Sequence, residues 1–310
     1  MKHILILLAG LATLNATENP LATLEAAAAS GNATAQFQLG RAYFRGEGVP
    51  ADNAKAIEWI SQSAEKGNPD ALTSLGFFYS QGVVFEKDES KAIEWFRKGA
   101  AAGSVQSQLN LGLMLRQAKT ITCNNTESLE WLEKAASSGD PVAVRTYGQV
   151  LFLGDAHMLP DRNKAFPYIL KAAEEGDSSS QNMIGVAYRD GNGTEMNSEK
   201  AKEWFLKAAL QNDPKAQSNL GDILGVDSPT NSDRKEALKW LLIAKDNGDI
   251  TAIKTYKELM HTFPPALLAA AQKEANKFLI KARSKSTEPQ PSPANSTEQK
   301  DPANSPNPRE

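Results

Sequence analysis

One short motif in the sequence could support nucleophilic catalysis, the segment Ser63-Ala64-Glu65-Lys66. In penicillin-recognising enzymes the serine of a Ser-x-x-Lys motif is the nucleophile, and Ser-Asp-Asn and Lys-Thr-Gly motifs complete the site. Neither companion motif occurs in this sequence. Ser63 and Lys66 also fall where a helix is expected to end. We therefore predict that the chain is not an enzyme and has no catalytic residues.

The side chains that bind metals or form disulfides are few and scattered. The three histidines, His3, His157 and His261, lie far apart in the sequence, so they form no histidine cluster of the kind that binds metals. Cys123 is the only cysteine, so no disulfide can form within the chain. The formal net charge of -3 gives no electrostatic reason to expect nucleic acid or an anionic membrane as a partner. We predict no cofactor, no metal site and no nucleic-acid partner.

The elements that position these residues are set by an internal repeat. An apolar residue followed by glycine recurs six times, at Gly40, Gly76, Gly112, Gly148, Gly185 and Gly221, with spacings of 36, 36, 36, 37 and 36 residues. An aromatic column follows it and contains every tryptophan of the chain: Trp59, Trp95, Trp131, Tyr168, Trp204 and Trp240. Self-similarity at this period is typical of a helical-hairpin solenoid, in which each repeat is buried mainly by its neighbours.

Each repeat is expected to form a helix A, a loop, a helix B and a tight turn. In the first repeat helix A covers about residues 35–45 and helix B about residues 53–66. We expect the glycine to let the two helices approach and the tryptophan to fill the space between successive hairpins. The turns close at Gly67, Gly103, Gly139, Gly176, Asn212 and Gly248. Asn212 supports this interpretation, because asparagine tolerates the left-handed conformation next best after glycine.

The two ends of the chain depart from the repeat. Residues 1–16 combine a basic start with a short apolar run, which predicts a cleaved secretory signal peptide, without a nearby cysteine for lipid attachment. The run is too short to span a bilayer; the alternative is an apolar first helix of a cytosolic protein. We assign residues 17–34 to an N-terminal capping half-repeat, 35–250 to six repeats, 251–283 to C-terminal capping helices and 284–310 to a disordered, proline-rich tail. The protein is therefore expected to be periplasmic or secreted, with no membrane span in the mature chain.

These columns resemble the Sel1-like repeat family, a relative of the tetratricopeptide repeat. Its consensus runs small residue, Leu-Gly, Tyr, Gly-x-Gly-Val, Lys-Ala, Trp, Ala-Ala, Gly, and residues 38–67 match it almost throughout. The resemblance covers about residues 21–262, with departures in the loops between helices A and B of the third, fourth and sixth repeats. It implies an all-α, right-handed α/α superhelical solenoid that acts as a non-enzymatic scaffold. The resemblance also implies a role in envelope signalling, polysaccharide secretion or host interaction, to which exported bacterial members of the family are often linked.

The positions that differ between repeats are the candidate binding residues, because packing positions must be similar in every repeat. On helix A the residues next to the packed columns vary, and in related superhelices this helix lines the concave side. We predict a peptide- or protein-binding groove formed by Phe37, Arg41, Phe77, Asn110, Arg145, Gln149, Asn182 and Arg189. Aromatic and arginine side chains provide much of the binding energy at interfaces. Packing of Phe37 and Phe77 against adjacent helices is the alternative for those two residues.

The predicted function is protein–protein interaction as an adaptor or scaffold of the bacterial envelope. The alternative is a binder of cell-wall fragments, or a weak penicillin-binding or β-lactamase-like protein. One extra residue in the fourth repeat falls in the loop 154–160, which contains His157. Such an insertion marks either part of a binding face or a structural loop variant.

Overall fold

The structure is a computed structural model that describes residues 20–117, 125–155, 158–226 and 230–287. The predicted signal peptide, Cys123, His157 and residues 288–310 of the predicted tail lie outside the described residues. The chain divides into two compact units, which we call unit 1 (residues 1–107) and unit 2 (residues 108–310).

Within the described ranges every regular element is a helix, apart from one antiparallel bridge between Asp155 and Met158. The helices are α1 (Pro20–Ala29), α2 (Ala33–Arg45), α3 (Asn53–Glu65), α4 (Pro69–Gln81), α5 (Glu89–Ala101), α6 (Val105–Gln117), α7 (Asn125–Ser137), α8 (Pro141–Leu153), α9 (Arg162–Glu174), α10 (Ser178–Asp190), α11 (Ser198–Leu210), α12 (Pro214–Val226), α13 (Asn231–Asp246), α14 (Ile250–Met260) and α15 (Pro265–Thr287). The even-numbered helices are the A helices, and α3 to α13 among the odd-numbered ones are the B helices. Consecutive helices pack together from α1 to α5 in unit 1 and from α7 to α14 in unit 2.

The helix ends are encoded locally by short polar side chains and glycines. The side chain of Asn68 accepts hydrogen bonds from the first amides of α4, and Pro69 follows at the first helical position, where its missing N–H costs nothing. The turn before it closes at Gly67, whose φ is +79°. Asn212 takes the same place in the turn between α11 and α12 with a φ of +69°, as its position in the glycine column predicts.

The glycine of helix A is covered by a different residue of helix B from the tryptophan that was expected to fill this space. A Cβ atom at Gly76 would lie 2.6 Å from Cδ1 of Phe96, and one at Gly221 would lie 2.6 Å from Cγ of Leu241. The covering residue is therefore the one after the aromatic column, and Phe96 is 2% exposed. Helical geometry explains the shift, because a step of one residue turns the side chain by about 100° around the helix.

The tryptophans themselves are partly exposed, with one exception. Trp95 and Trp204 each keep part of the ring in water, and Lys98 and Lys207, one turn later, lie over the two rings. Trp240 in the last repeat is buried, because α15 packs against α13 and places Phe278 edge-on to the indole at a centroid distance of 5.3 Å. The prediction that the tryptophans are core residues is therefore wrong for every tryptophan except Trp240.

Helix α15 extends the ordered chain beyond the predicted boundary of the tail. It runs to Thr287, so residues 284–287 belong to a helix. Its apolar residues Ala271, Ala275 and Leu279 are buried in one cluster with Trp240. The helical period of these residues explains why the last repeat is covered by α15.

Buried glutamines join each of three A helices to the helix before it, a feature that the repeat columns did not predict. Nε2 of Gln181 donates to the carbonyl oxygen of Ala173 at 3.0 Å, and Nε2 of Gln217 donates to that of Ala209 at 3.1 Å. Gln36 makes the same bond to Ala28. Each carbonyl lies in the last turn of the preceding helix and also accepts a hydrogen bond from an amide of the turn that follows, as Ala173 does from Gly176. These glutamines therefore add a second hydrogen bond to each of these carbonyls and join consecutive hairpins.

Candidate functional site

The predicted groove residues of unit 1 divide into two aromatic side chains and one arginine. Phe37 and Phe77 are partly buried and pack against the apolar cluster that contains Leu72 and Leu75. At least part of each ring therefore serves the packing of α2 and α4. Arg41 is partly exposed and makes no side-chain hydrogen bond or ion pair within the described residues.

In unit 2 the residues Asn110, Arg145 and Gln149 are partly exposed on α6 and α8. Nη1 of Arg145 lies 3.1 Å from Oδ1 of Asp177, the residue that caps the N-terminus of α10. Burial alone would raise the pKa of the Asp177 carboxyl, but hydrogen bonds from Ser180 and the contact with Arg145 lower it overall. Gln149 makes no side-chain hydrogen bond to any residue that the structure describes.

Asn182 and Arg189, the last two predicted residues, belong to one hydrogen-bonded row that crosses from α10 to α12. Nη1 of Arg189 donates to Oδ1 of Asn219 at 3.1 Å, and Nδ2 of Asn219 donates to Oδ1 of Asn182 at 2.9 Å. Arg189 also forms a two-bond ion pair with Asp190, which raises the pKa of the guanidinium. We call Asn182, Arg189 and Asn219 the amide row.

Asn219 was not among the predicted site residues. It occupies the position before the leucine of the repeat, where the other repeats carry Gln38, Ser74, Asn110, Thr146 and Met183. This column varies as much as the two columns that supplied most of the predicted groove. The same comparison of repeats would therefore have included Asn219.

Asp222 lies one turn after Asn219 on α12 and is partly buried. Burial raises the pKa of its carboxyl, and the nearby Asp249 and Glu258 add to the rise, although Thr255 and Arg189 oppose it. Its Oδ1 is buried without a hydrogen-bond partner among the described residues. The carboxyl is therefore held in a position where its charged form is poorly solvated.

The Ser63-x-x-Lys66 motif is used by the fold. Ser63 is fully buried, and its hydroxyl donates to the carbonyl oxygen of Ala33 at 2.6 Å. Nζ of Lys66 donates to the carbonyl oxygen of Gly31 at 2.6 Å. The two side chains therefore bind separate backbone acceptors around the first turn, and the serine oxygen is closed to a substrate. Within the described part of the chain, no three His, Cys, Asp or Glu side chains converge on a metal site.

The loop with the extra residue is fixed at its base and apolar at its surface. Gly154 begins it with a φ of +63°, the bridge between Asp155 and Met158 closes it, and Arg116 forms an ion pair with Asp155. Leu159 is 88% exposed. His157 lies outside the described residues, so its predicted part in a binding face stays a prediction.

The repeats extend over most of the chain and match one known family. The Sel1 repeat matches six consecutive segments, residues 33–68, 69–104, 105–140, 143–177, 178–213 and 214–249. The chain belongs to the Sel1 repeat family. The predicted all-α solenoid of helix-turn-helix repeats is confirmed by these matches and by the helices described above. Proteins of this family are generally scaffolds for protein interaction.

Two solved structures of Sel1-like proteins are similar to this chain. One is a protective antigen of uropathogenic Escherichia coli strains with an SLR fold; it matches with a TM-score of 0.68 and 27% sequence identity over 89% of this chain. The match spans 60% of the length of the antigen. The other, a Sel1 repeat protein from Oxalobacter formigenes, matches with a TM-score of 0.56 and 29% identity, covering 73% of this chain and 93% of that one.

Among curated protein sequences, none matches this Sel1 repeat chain. Within the residues that the structure describes, no helix combines the length and the apolar character needed to cross a bilayer.

Proposed function

We propose that this Sel1 repeat protein is a non-enzymatic scaffold of the bacterial envelope whose A helices bind a peptide or a segment of a partner protein. The observation that carries the proposal is that the side chains of Arg41 and Gln149 form no hydrogen bond or ion pair with the described residues. Each is partly exposed on an A helix, and neither uses its polar group within the described fold. Polar side chains that the fold leaves unused are available to a partner at no cost in stability.

The packing positions support the same division of roles. The glycines of the A helices are covered from within their own repeat, and the buried glutamines bind the helix before them. The glycine column is the same in all six repeats, and these glutamines are already hydrogen-bonded within the fold, so neither set discriminates between partners. The variable positions on the A helices differ in charge, size and hydrogen bonding, as a surface that recognises one specific segment requires.

The proposal is tested by site-specific photo-crosslinking in intact cells. A photoreactive amino acid is placed at Arg41 or Gln149 on the A helices, and at the exposed Glu58 or Glu203 on the B helices as matched controls in the same two units. We expect a discrete protein adduct from the A-helix positions and none from the B-helix positions. Adducts only from the B helices would contradict the assigned face, and adducts from no position would contradict a scaffold function.

The envelope location is tested separately. A protein exported by a cleaved signal peptide has a mature N-terminus near residue 17 and fractionates with the periplasm or the medium. N-terminal sequencing of the purified protein after cell fractionation measures both properties. An intact residue 1 in the cytosolic fraction would contradict this part of the proposal.

A further inference from the structure

The amide row has a fixed hydrogen-bond direction. A guanidinium group carries only donors, so the Asn219 atom that faces Arg189 must be its oxygen. The nitrogen of Asn219 then faces Asn182, and the Asn182 atom that receives its hydrogen bond must also be the oxygen. The orientation of both amides is therefore determined by chemistry.

The consequence is an unused donor at the end of the row. Nδ2 of Asn182 makes no hydrogen bond to any residue that the structure describes. This nitrogen is not one of the buried polar atoms that lack a partner among the described residues. Because Asn182 is partly exposed and its Nδ2 is not among the buried atoms, this amide nitrogen is accessible to solvent.

The charge around the row determines which acceptor fits this donor. The positive charge of Arg189 is already balanced by its two hydrogen bonds to Asp190, and Asp222 lies on the same side of α12 as Asn219. A bound carboxylate would meet these two carboxyl groups without a free cation in the row to compensate. A neutral carbonyl oxygen accepts the hydrogen bond without this repulsion.

We propose that Asn182, oriented by Asn219 and Arg189, is a subsite that donates a hydrogen bond to a main-chain carbonyl of a bound peptide. This inference rests on the proposed peptide-binding function and specifies what one part of the A-helix surface recognises. The Asn182 subsite would bind the main chain of the segment and would not select the side chain at that position. Neighbouring variable positions then provide the specificity.

The test uses the whole protein, labelled with ¹⁵N-asparagine, and two small probes. N-acetyl-trialanine N-methylamide offers neutral carbonyl groups, and sodium acetate offers a carboxylate. We expect the neutral peptide to shift the side-chain amide resonances of Asn182 and Asn219 saturably, and acetate at equal concentration to leave them in place. A saturable shift with acetate alone, or no shift with either probe, would overturn the proposal.

The decisive variant is Asn182→Asp, because aspartate keeps the oxygen that accepts from Asn219 but replaces the outward donor with an acceptor. The Asn219 resonance then reports binding, and we expect affinity for the neutral peptide to fall by about tenfold or more, the equivalent of one lost hydrogen bond and a new acceptor–acceptor contact. Asn163→Asp, at an exposed position at the start of α9, introduces the same charge elsewhere and should leave the affinity unchanged. Equal affinity in wild type and Asn182→Asp would overturn the subsite, whereas adducts from Arg41 and Gln149 in the crosslinking experiment would still support the scaffold function.

Discussion

The ring of Phe96 lies directly against the backbone of Gly76, so closely that a Cβ atom on the glycine would be 2.6 Å from Cδ1 and 2.7 Å from Cε1 of the ring. The two residues belong to the two helices of one repeat, α4 and α5. The glycine therefore sets the distance between these helices, and the buried phenylalanine fills the space that the missing side chain leaves. Leu132 and Leu241 have the same relation to Gly112 and Gly221 in unit 2.

Gly76→Ala is expected to destabilise the protein by about 1–3 kcal/mol, because the added methyl group overpacks a rigid buried ring. The matched control is Gly225→Ala on α12, where the new Cβ would lie 3.3 Å from the flexible end of Leu259 and 3.8 Å, an ordinary contact distance, from Cβ of Ala237. This control should be neutral or stabilising, by up to about 1 kcal/mol, because alanine is the better helix former. Urea unfolding measures both. Combining Gly76→Ala with Phe96→Val should cost less than the sum of the single variants, and strict additivity would contradict the contact.

Asp222→Asn is expected to stabilise the protein at neutral pH. The carboxyl has a raised pKa, so the folded state binds its proton more tightly than the unfolded state does. Stability from this group is then present at low pH and is lost as the pH rises through its folded pKa. Replacing the carboxyl removes that loss. Unfolding curves between about pH 3 and pH 7 should show the gain of the variant shrinking toward acid pH.

Asp177→Asn provides the opposite case in the same unit. The pKa of Asp177 is lowered, so its contribution is present above the unfolded-state pKa and is lost as the pH falls through the folded pKa. Asparagine can still cap α10, so the variant removes mainly the charge that faces Arg145. We expect a destabilisation at neutral pH of about 0.2–1 kcal/mol, typical of a partly exposed ion pair, and less near pH 3. A change of the same sign for Asp177→Asn and Asp222→Asn at neutral pH would contradict these assignments.

Two substitutions of Asn212 separate its backbone role from its side-chain role. Oδ1 accepts from Gln217 at 3.2 Å and from Asn247 at 2.8 Å, and the residue has a φ of +69°. Asn212→Gly loses the two hydrogen bonds but relaxes the backbone, whereas Asn212→Ala loses both and adds about 1–2 kcal/mol for the left-handed conformation. Thermal unfolding should therefore rank alanine below glycine. Equal melting temperatures would show that the turn rearranges.

The two tryptophans Trp240 and Trp95 should differ in their contribution to stability. Trp240→Ala is expected to cost about 3–5 kcal/mol, because it empties a buried site. Trp95→Ala should cost about 2 kcal/mol, because part of that ring is already in water. Chemical denaturation measures both free energies, and an equal cost for the two variants would contradict the difference in burial.

The sequence predicts the repeat, the helix order and the left-handed Asn212 because these depend on local rules and on period. It does not predict which of two adjacent apolar residues, Trp95 or Phe96, covers the glycine, since both follow the same 36-residue period and only the rotation of helix B separates them. Gln181 was missed for another reason. From the sequence alone a glutamine is expected at the surface, and the carbonyl of Ala173 that Gln181 binds is identified only by the packing of the helices.

In the candidate site, too, the sequence predicts which positions vary but not which contacts their side chains make. Comparison of the repeats identifies the A-helix columns that vary, and Asn182 comes from one of those columns. Whether a variable side chain binds its neighbour or remains available depends on rotamers and on contacts between helices. The structure joins Arg189 to Asn219 and Arg145 to Asp177, whereas Arg41 and Gln149 stay unpaired in the described residues.

The cover that α15 places over Trp240 also has a consequence for biosynthesis. The six repeats end at residue 249, but the indole of the last one is covered only when the chain has been made as far as Phe278. In a nascent chain that ends between residue 249 and Phe278, the indole of Trp240 is exposed to solvent. Chaperones and proteases recognise exposed apolar groups of this kind. Completion of α15 buries this ring, so the last repeat reaches its final packing only after the chain has been made well beyond the sixth repeat.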